Sequence, residues 1–268
     1  MSQWRFAGAS VQGTSHIESS QPCQDACRYE QFCTPSGEEF LVLVASDGAG
    51  SAAFSHEGSQ TICQVLIEKF TRLFAQGWTL DRMTPQYGRF LLRYVAVFIK
   101  RLAKAQERSE REFAATLLLA IVGKESAAFL QLGDGAIVLN SGGNYQPVFW
   151  PQSGEYANMT HFVTDKAAVN HLQFSSIAEA VTEIALFTDG IQGLALKYDS
   201  KTAHARFFYP LFEDLQAASK SSLPQLNAGL EAFLNSKRMN ERTDDDKTLV
   251  LACRLIDSMQ GSENIVSL

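Results

Sequence analysis

The sequence lacks any apolar run long enough to cross a membrane. Its apolar runs, such as 117–122, are far shorter than the roughly 20 residues that a spanning helix needs. The first residues, 1–5, also lack the apolar core that is typical of a signal peptide. We therefore expect a cytoplasmic protein that has no membrane partner.

A surplus of positive charge is missing as well. The formal net charge is -6, with 23 Lys and Arg against 29 Asp and Glu. Because nucleic-acid binding depends on a basic surface, we expect no nucleic-acid partner. Internal repeats, low-complexity tracts and charge blocks are absent too. With 268 residues, 46% of them hydrophobic, the chain can bury a sizeable core. This length allows one large domain or two small ones, and we expect a monomer.

Cysteines are few, and their number is odd. The chain has 5, three of them within the first 33 residues, and their spacing matches no zinc-binding template. We expect all of them to be reduced thiols, as is usual in the cytoplasm. They are Cys23, Cys27, Cys33, Cys63 and Cys253.

What the chain does have is a set of acidic residues placed where apolar runs stop. Each lies in a short turn sequence: Asp47-Gly48, Asp134-Gly135, Asp189-Gly190 and Asp244-Asp245-Asp246. Asp-Gly is a common turn, so any one of these could be an ordinary loop. Several carboxylates at one rim of a sheet, however, repel each other unless cations lie between them. The set therefore indicates a site for hard divalent metals, provided that the four turns meet in space.

Hydrophobic periodicity predicts an α+β fold. Helices are indicated where apolar residues recur three and four apart, as at Ile62, Val65, Leu66 and Phe70. Gly142-Gly143 is typical of a hairpin turn, and we interpret 113–149 as a meander. The predicted helices are 57–74, 87–104 and 223–234, and the predicted strands are 4–11, 39–46, 113–122, 127–132, 136–139, 145–149, 183–188 and 248–255.

The order of these motifs resembles that of the metal-dependent protein phosphatases, the protein phosphatase 2C family. The motifs span nearly the whole chain: Gln24-Asp25-Ala26, Ser46-Asp47-Gly48, Ala115-Thr116, Gly133-Asp134-Gly135, Thr188-Asp189-Gly190 and Asp245-Asp246-Lys247-Thr248. Segments 22–26, 154–162 and 240–248 resemble a compact bacterial branch of that family. The resemblance implies a single catalytic domain over residues 1–268. Its fold would be a four-layer α-β-β-α sandwich, in which helices flank two central antiparallel sheets and a cleft at one end holds a two-metal centre.

The resemblance also implies a role for each matching residue. Asp47 would bridge the two metals, and the backbone carbonyl of Gly48 would bind the second metal. Asp189 and Asp245 would complete the protein ligands of the first metal, although a slip of one residue would exchange Asp245 for Asp246. Asp134 would bind a third metal together with Asp189. Asp25 would hold metal-bound water.

The implied activity is that of a serine/threonine protein phosphatase that reverses the action of a kinase. Two or three Mn²⁺ or Mg²⁺ ions would activate a bridging water or hydroxide for direct attack on a phosphomonoester, with no phosphoenzyme. Two alternatives stay open from the sequence. The same fold could act on a non-protein phosphate ester, or the chain could be an inactive regulatory or scaffolding module.

Several positions depart from the family pattern or allow two interpretations. Ser20 stands where many members have an Arg that binds the substrate phosphate, and Ala49 stands where eukaryotic members have a His as a candidate general acid. His16 could replace the missing Arg or could be a structural hydrogen-bonding residue. Two further expectations concern the surroundings of the site. Thr116 should pack behind it, and Asn158, Thr160 and His161 should form either a loop of the cleft or a solvated turn.

Overall fold

Two five-stranded antiparallel sheets form the centre of this computed structural model, which describes residues 3–152, 160–219 and 222–255. The first sheet has the strand order β1-β12-β9-β6-β7, and the second has the order β2-β3-β4-β5-β8. The strands are β1 (Gln3–Val11), β2 (Ala26–Cys33), β3 (Glu39–Ser46), β4 (Leu117–Val122), β5 (Ala127–Leu132), β6 (Ala136–Ser141), β7 (Asn144–Pro147), β8 (Gln173–Ile177), β9 (Glu183–Phe187), β10 (Leu196–Lys197), β11 (Thr202–Ala203) and β12 (Lys247–Leu255), of which β10 and β11 form a separate small hairpin.

The two sheets bury one face each against the other. Side chains such as Leu43 and Phe129 from the second sheet pack with Leu186 and Val250 from the first, all of them fully buried. Alternate residues of the same strands point outwards to the helices, since side chains alternate between the two faces of a strand. Nearly continuous apolar runs in β3, β4 and β9 follow from this burial on both faces.

Helices cover both outer faces of the sandwich. The helices are α1 (Thr14–Glu18), α2 (Ser55–Ala75), α3 (Pro85–Ala105), α4 (Ala168–His171), α5 (Gln192–Ala195), α6 (Ala205–Ala217), α7 (Leu223–Leu234) and α8 (Lys237–Asn240). α2 and α3 pack on the second sheet, and α6 and α7 pack on the first. The predicted four-layer α-β-β-α class is therefore confirmed. No helix within the described ranges is both long and apolar enough to cross a membrane.

The three predicted helices are present with nearly the predicted bounds. α2 buries Ile62, Leu66 and Phe70, which lie four residues apart on one face. α3 begins after Thr84, whose side-chain oxygen accepts a hydrogen bond from the backbone N–H of Tyr87 at 3.2 Å. This cap and the Pro at the first helical position define where the helix starts.

The predicted meander over 113–149 is wrong. β4 and β5 pair in the second sheet, whereas β6 and β7 pair in the first, so the chain changes sheet at Gly133-Asp134-Gly135. Gly133 has φ +108°, a conformation that favours glycine and that lets the backbone leave the second sheet. The predicted strand 113–122 also begins later, because residues Glu110–Phe113 form a 3-10 helix. The Gly142-Gly143 hairpin turn is confirmed, with φ values of 60° and 87°.

The sequence prediction missed several elements, among them three that belong to the layers of the sandwich, β2, β8 and α6. β2 and β8 lie at the two edges of the second sheet, where polar residues such as Arg28, Glu30 and Gln31 break the apolar pattern. α6 contains Pro210 in its interior, which argues against a helix when only the sequence is read. Tertiary packing of Phe208 and Phe212 in the core stabilises it nevertheless.

Candidate metal centre

The predicted acidic turns meet in a cleft at one end of the sandwich. The cleft has a volume of about 1210 Å³. The loops after β3, β5 and β9 and the residues just before β12 form part of its lining. Five aspartates form part of its lining, and we call them the acidic floor: Asp47, Asp134, Asp189, Asp245 and Asp246.

Three of these carboxylates are close enough to share cations. Asp47, Asp134 and Asp189 each offer a carboxylate oxygen, and these oxygens all lie within 4.8 Å of one another. All three side chains are half-buried. Asp245 lines the same cleft outside this group of three. The sequence prediction that separate strand ends bring carboxylates together is thus confirmed for these residues.

Backbone hydrogen bonds hold the Asp47 turn. The N–H of Asp47 donates to Thr116 Oγ1 at 2.9 Å, and the N–H of Thr116 donates to the Asp47 carbonyl at 2.8 Å. The next residue, Gly48, forms a bridge with Ala115 and is packed so tightly that a Cβ there would lie 2.7 Å from the Gln24 carbonyl. Thr116 therefore packs behind the site, as expected, and the turn is rigid.

Burial and mutual repulsion raise the pKa values of the clustered carboxyls. Burial raises the pKa of Asp47 well above its usual range, and the charges of Asp25 and Asp189 add to the shift. Burial, with Asp134 and Asp245 nearby, raises the pKa of Asp189 to about 7. Added positive charge would therefore stabilise the ionised form of these carboxyls.

The donor set fits hard cations. Asp134 Oδ1 is buried and has no hydrogen-bond partner among the described residues, so its lone pairs are available to a cation. Carboxylate oxygens are the ligands that Mg²⁺ and Mn²⁺ prefer in proteins. The group formed by Asp47, Asp134 and Asp189 could therefore hold divalent metal.

Asp25 lies behind the acidic floor rather than on the cleft wall. It is 5% exposed, and its Oδ2 accepts a hydrogen bond from the Thr188 hydroxyl at 2.7 Å. The same hydroxyl oxygen accepts from the N–H of Thr248 at 3.0 Å, which connects Asp25 to β12. Burial, with smaller contributions from Asp246 and Asp189, raises the pKa of Asp25 to about 8.

Asp245 and Asp246 differ in what surrounds their carboxylates. Asp246 is 3% exposed; its Oδ1 accepts from the N–H of Gly13 at 2.6 Å and its Oδ2 from the N–H of Gln24 at 2.5 Å. Asp245 is exposed to the cleft, and its Oδ1 accepts one bond, from the N–H of Asp246 at 2.8 Å. Both carboxylate oxygens of Asp246 therefore accept hydrogen bonds from the backbone, whereas Asp245 keeps oxygen lone pairs free.

The comparisons with known proteins agree with this geometry. The sequence profile described as Protein phosphatase 2C matches residues 12–235. The chain belongs to this family. Serine/threonine-protein phosphatase 3 of Escherichia coli (strain K12) is 37% identical over 249 residues, which cover 93% of this chain and 98% of that protein.

Solved structures share the fold. One, described as a bacterial serine phosphatase, superposes with a TM-score of 0.63 at 15% identity and covers 94% of this chain and 98% of its own. The serine/threonine phosphatase Stp1 from Staphylococcus aureus superposes with a TM-score of 0.60 at 15% identity, covering 94% and 95%. The predicted protein phosphatase 2C family and its class of enzyme are confirmed, and the family is metal-dependent.

Ser20 occupies the position where many family members have a phosphate-binding Arg, and in this phosphatase it does not face the cleft. Ser20 follows the end of α1, is exposed, and does not line the cleft. His16, on α1, does line the cleft, with its Nδ1 2.9 Å from Asp246 Oδ2. The structure thus places His16 at the site, whereas its predicted contact with substrate stays a prediction.

Several polar residues around the site carry no motif in the sequence. Gln192 donates from its side-chain nitrogen to the Asp134 carbonyl, and the Tyr198 hydroxyl donates to Gln192 Oε1 at 2.7 Å. His161 stacks on His171 with ring centroids 3.6 Å apart, and both line the cleft, as does Thr160. Gln192, Tyr198 and His171 lie in separate short segments, so no local pattern marks them. Thr160 and His161 belong to the segment 154–162, and both line the cleft, which is the first of the two expectations for them. Asn158 and most of segment 154–162 lie outside the described residues.

Proposed function

We propose that this cleft removes phosphate from phosphoserine and phosphothreonine residues of proteins, by direct attack of water and without a phosphoenzyme. The observation that carries the proposal is the approach of the Asp47, Asp134 and Asp189 carboxylate oxygens to within 4.8 Å of one another. The hydrolysis of a phosphomonoester gains little from a protein nucleophile, so the protein contributes mainly positioning and electrostatic stabilisation.

The acidic floor would hold either two or three Mn²⁺ or Mg²⁺ ions. Asp47 would contact both of the first two ions, and the Gly48 carbonyl, Asp189 and Asp245 would complete the protein ligands. Asp134, together with Asp189, would bind the third. When bound, such ions lower the pKa of water so that hydroxide is available at neutral pH, and they neutralise the phosphoryl oxygens.

The remaining residues orient the reactants. Asp25, fixed by the Thr188 hydroxyl, would accept a hydrogen bond from water at the back of the floor. His16, 2.9 Å from Asp246, would donate from its other ring nitrogen to the substrate phosphate in place of the missing Arg. Ala49 cannot protonate the leaving oxygen, so a water molecule in the open cleft would do so.

The partner in this account is a phosphoprotein made by a serine/threonine kinase. All five cysteines are free, which is typical of a protein that works in the reducing cytoplasm. We infer that the enzyme acts there as a monomer.

A metal-dependence assay tests the proposal. The protein, loaded with Mn²⁺, is assayed on a phosphoserine peptide, a phosphothreonine peptide and para-nitrophenyl phosphate, before and after EDTA. We expect turnover of all three, loss of turnover with EDTA, recovery with added Mn²⁺, and no phosphorylated protein by intact mass spectrometry. Turnover of para-nitrophenyl phosphate alone would favour a non-protein ester, and no turnover at all would indicate a regulatory module.

A further inference from the structure

Part of the cleft lining is cationic. The side chains of Arg108, Arg111 and Lys166 line the same cleft as the acidic floor, and we call them the cationic rim. Arg108 and Arg111 come from the segment that follows α3, and Lys166 comes from the segment before α4. All three are exposed to solvent. Three basic side chains around one cleft stand out in a chain whose net charge is -6.

Two acidic residues, Glu110 and Asp165, line the cleft beside the cationic rim but form no ion pair with it. Within the described ranges, no carboxylate lies at ion-pair distance from any of the three side chains. The neighbouring acidic residues are engaged elsewhere: Glu110 pairs with Lys100 at 3.7 Å. Asp165 accepts a hydrogen bond from the N–H of Phe162 at 2.9 Å. The rim is therefore free to bind an external anion.

Arg108 is held in place although it is exposed. Its guanidinium carbon lies 5.1 Å from the centroid of the Phe54 ring, a cation–π contact. Phe54 stacks on the buried Phe113, with centroids 5.5 Å apart. This stacking orients the guanidinium and leaves its N–H groups available, and a planar guanidinium can bind a carboxylate through two parallel hydrogen bonds.

We propose that the cationic rim selects phosphorylated protein segments that carry aspartate or glutamate close to the phosphorylated residue. The proposal rests on the proposed function, in which the ions held by the acidic floor neutralise the phosphate group of the substrate. The cationic rim is then available to bind negatively charged side chains next to the phosphorylated residue. Because such pairs are exposed, each is expected to change kcat/KM by only about 2- to 5-fold, and salt weakens them.

The test compares two phosphoserine peptides of equal length, one with glutamates and one with alanines on both sides of the phosphoserine. The enzymes are the Mn²⁺-loaded wild type, a triple variant Arg108→Gln, Arg111→Gln and Lys166→Gln, and the control Lys124→Gln. Lys124 is exposed in the β4–β5 hairpin, at the end of the second sheet remote from the cleft. Glutamine retains much of the aliphatic stem, and thermal unfolding verifies that each variant is folded.

We expect the wild type to prefer the acidic peptide by about tenfold or more in kcat/KM at low salt. The triple variant should lose the preference, whereas Lys124→Gln should keep it, and 0.5 M NaCl should reduce it. Equal turnover of both peptides by the wild type would overturn this proposal alone. So would an equal loss on both peptides and on para-nitrophenyl phosphate in the triple variant, because the rim would then bind the phosphate itself. Turnover of neither peptide by the wild type would overturn the proposed function and this proposal with it.

Discussion

The acidic floor and the cationic rim lie in one cleft but are built in different ways. The carboxylates of the floor lie directly before or after buried strands, and neighbours such as Thr116 and Thr188 hold the adjoining backbone or side chains. The rim consists of exposed side chains on connecting segments, and within the described part of the chain only Arg108 of the three has a stacking contact. This difference indicates that the chemistry requires fixed positions, whereas recognition depends on charges that can adjust to different substrates.

The largest effect is expected from the centre of the floor. Asp47→Asn should lower kcat by at least about 10³-fold, because the ions lose the carboxylate that contacts both of them and transition-state stabilisation of several kcal/mol is lost. The measurement is turnover of a phosphoserine peptide with saturating Mn²⁺. The control is Asp199→Asn, the same substitution at an exposed turn away from the cleft, and it should keep full activity. Wild-type activity in Asp47→Asn would remove that residue from the centre.

The next effect separates the two adjacent aspartates. Asp245→Asn should weaken Mn²⁺ binding by roughly 10- to 100-fold in calorimetry, because a ligand loses its charge. Asp246→Asn should bind Mn²⁺ much more like the wild type but should lower stability by about 1–3 kcal/mol, because Asp246 accepts bonds from two buried N–H groups.

Asp244→Asn serves as the matched control for both, because Asp244 is exposed and offers only its backbone carbonyl to the N–H of Ser15 at 3.0 Å and to the Ser15 hydroxyl at 2.8 Å. The opposite result, in which Asp246→Asn loses the metal and Asp245→Asn does not, would make Asp246 the ligand.

Thermal stability without metal should decrease as the pH rises, and bound metal should remove most of that decrease. The pKa values of Asp189 and Asp25 are raised to about 7 and about 8, so these groups favour the folded state while they are protonated. Their contribution is fully present below the unfolded pKa of about 4 and is lost as the pH rises through 7 to 8. In EDTA, Tm should fall by on the order of 5 °C between pH 5.5 and 8.5 from this effect.

Excess Mn²⁺ should remove most of this decrease, because bound cations compensate the ionised carboxylates. The measurement is thermal unfolding by circular dichroism at both pH values, with and without Mn²⁺. A Tm in EDTA that rises over the same interval would show that repulsion in the floor is not a significant cost.

The smallest effect is expected from His16, which lies beside Asp246 of the acidic floor. His16→Ala should raise KM for a phosphopeptide by about 3- to 10-fold with little change in kcat, if His16 binds the phosphate. Ser20→Arg in that variant should not restore KM, because Ser20 is exposed and does not face the cleft. An unchanged KM in His16→Ala would assign His16 a structural role beside Asp246.

Much of the fold and the floor could be predicted because burial leaves a signal in the sequence. β3 and β9 are apolar on both faces, so the turns that follow them, and hence Asp47 and Asp189, are easy to locate. Edge strands such as β2 lack this signal because one side faces solvent. The change of sheet after β5 was missed for another reason, since a short turn does not determine which strands pair.

The cationic rim could not be predicted from the sequence. Arg108 and Lys166 are far apart in the chain, both are exposed, and neither belongs to a periodic pattern. Only the packing of α3 and of the segment before α4 against the same end of the sandwich brings them to one cleft. Contacts between distant exposed side chains depend on tertiary structure alone.

The acidic floor is proposed to hold the ions of the reaction, and crystals grown with Mn²⁺ and measured for anomalous scattering would show whether it does. We expect at least two anomalous peaks about 3.5–4 Å apart, with Asp47 in contact with both and with Asp189 and Asp245 as further ligands. Crystals of active enzyme whose anomalous peaks lie away from Asp47, Asp134 and Asp189 would contradict this proposal.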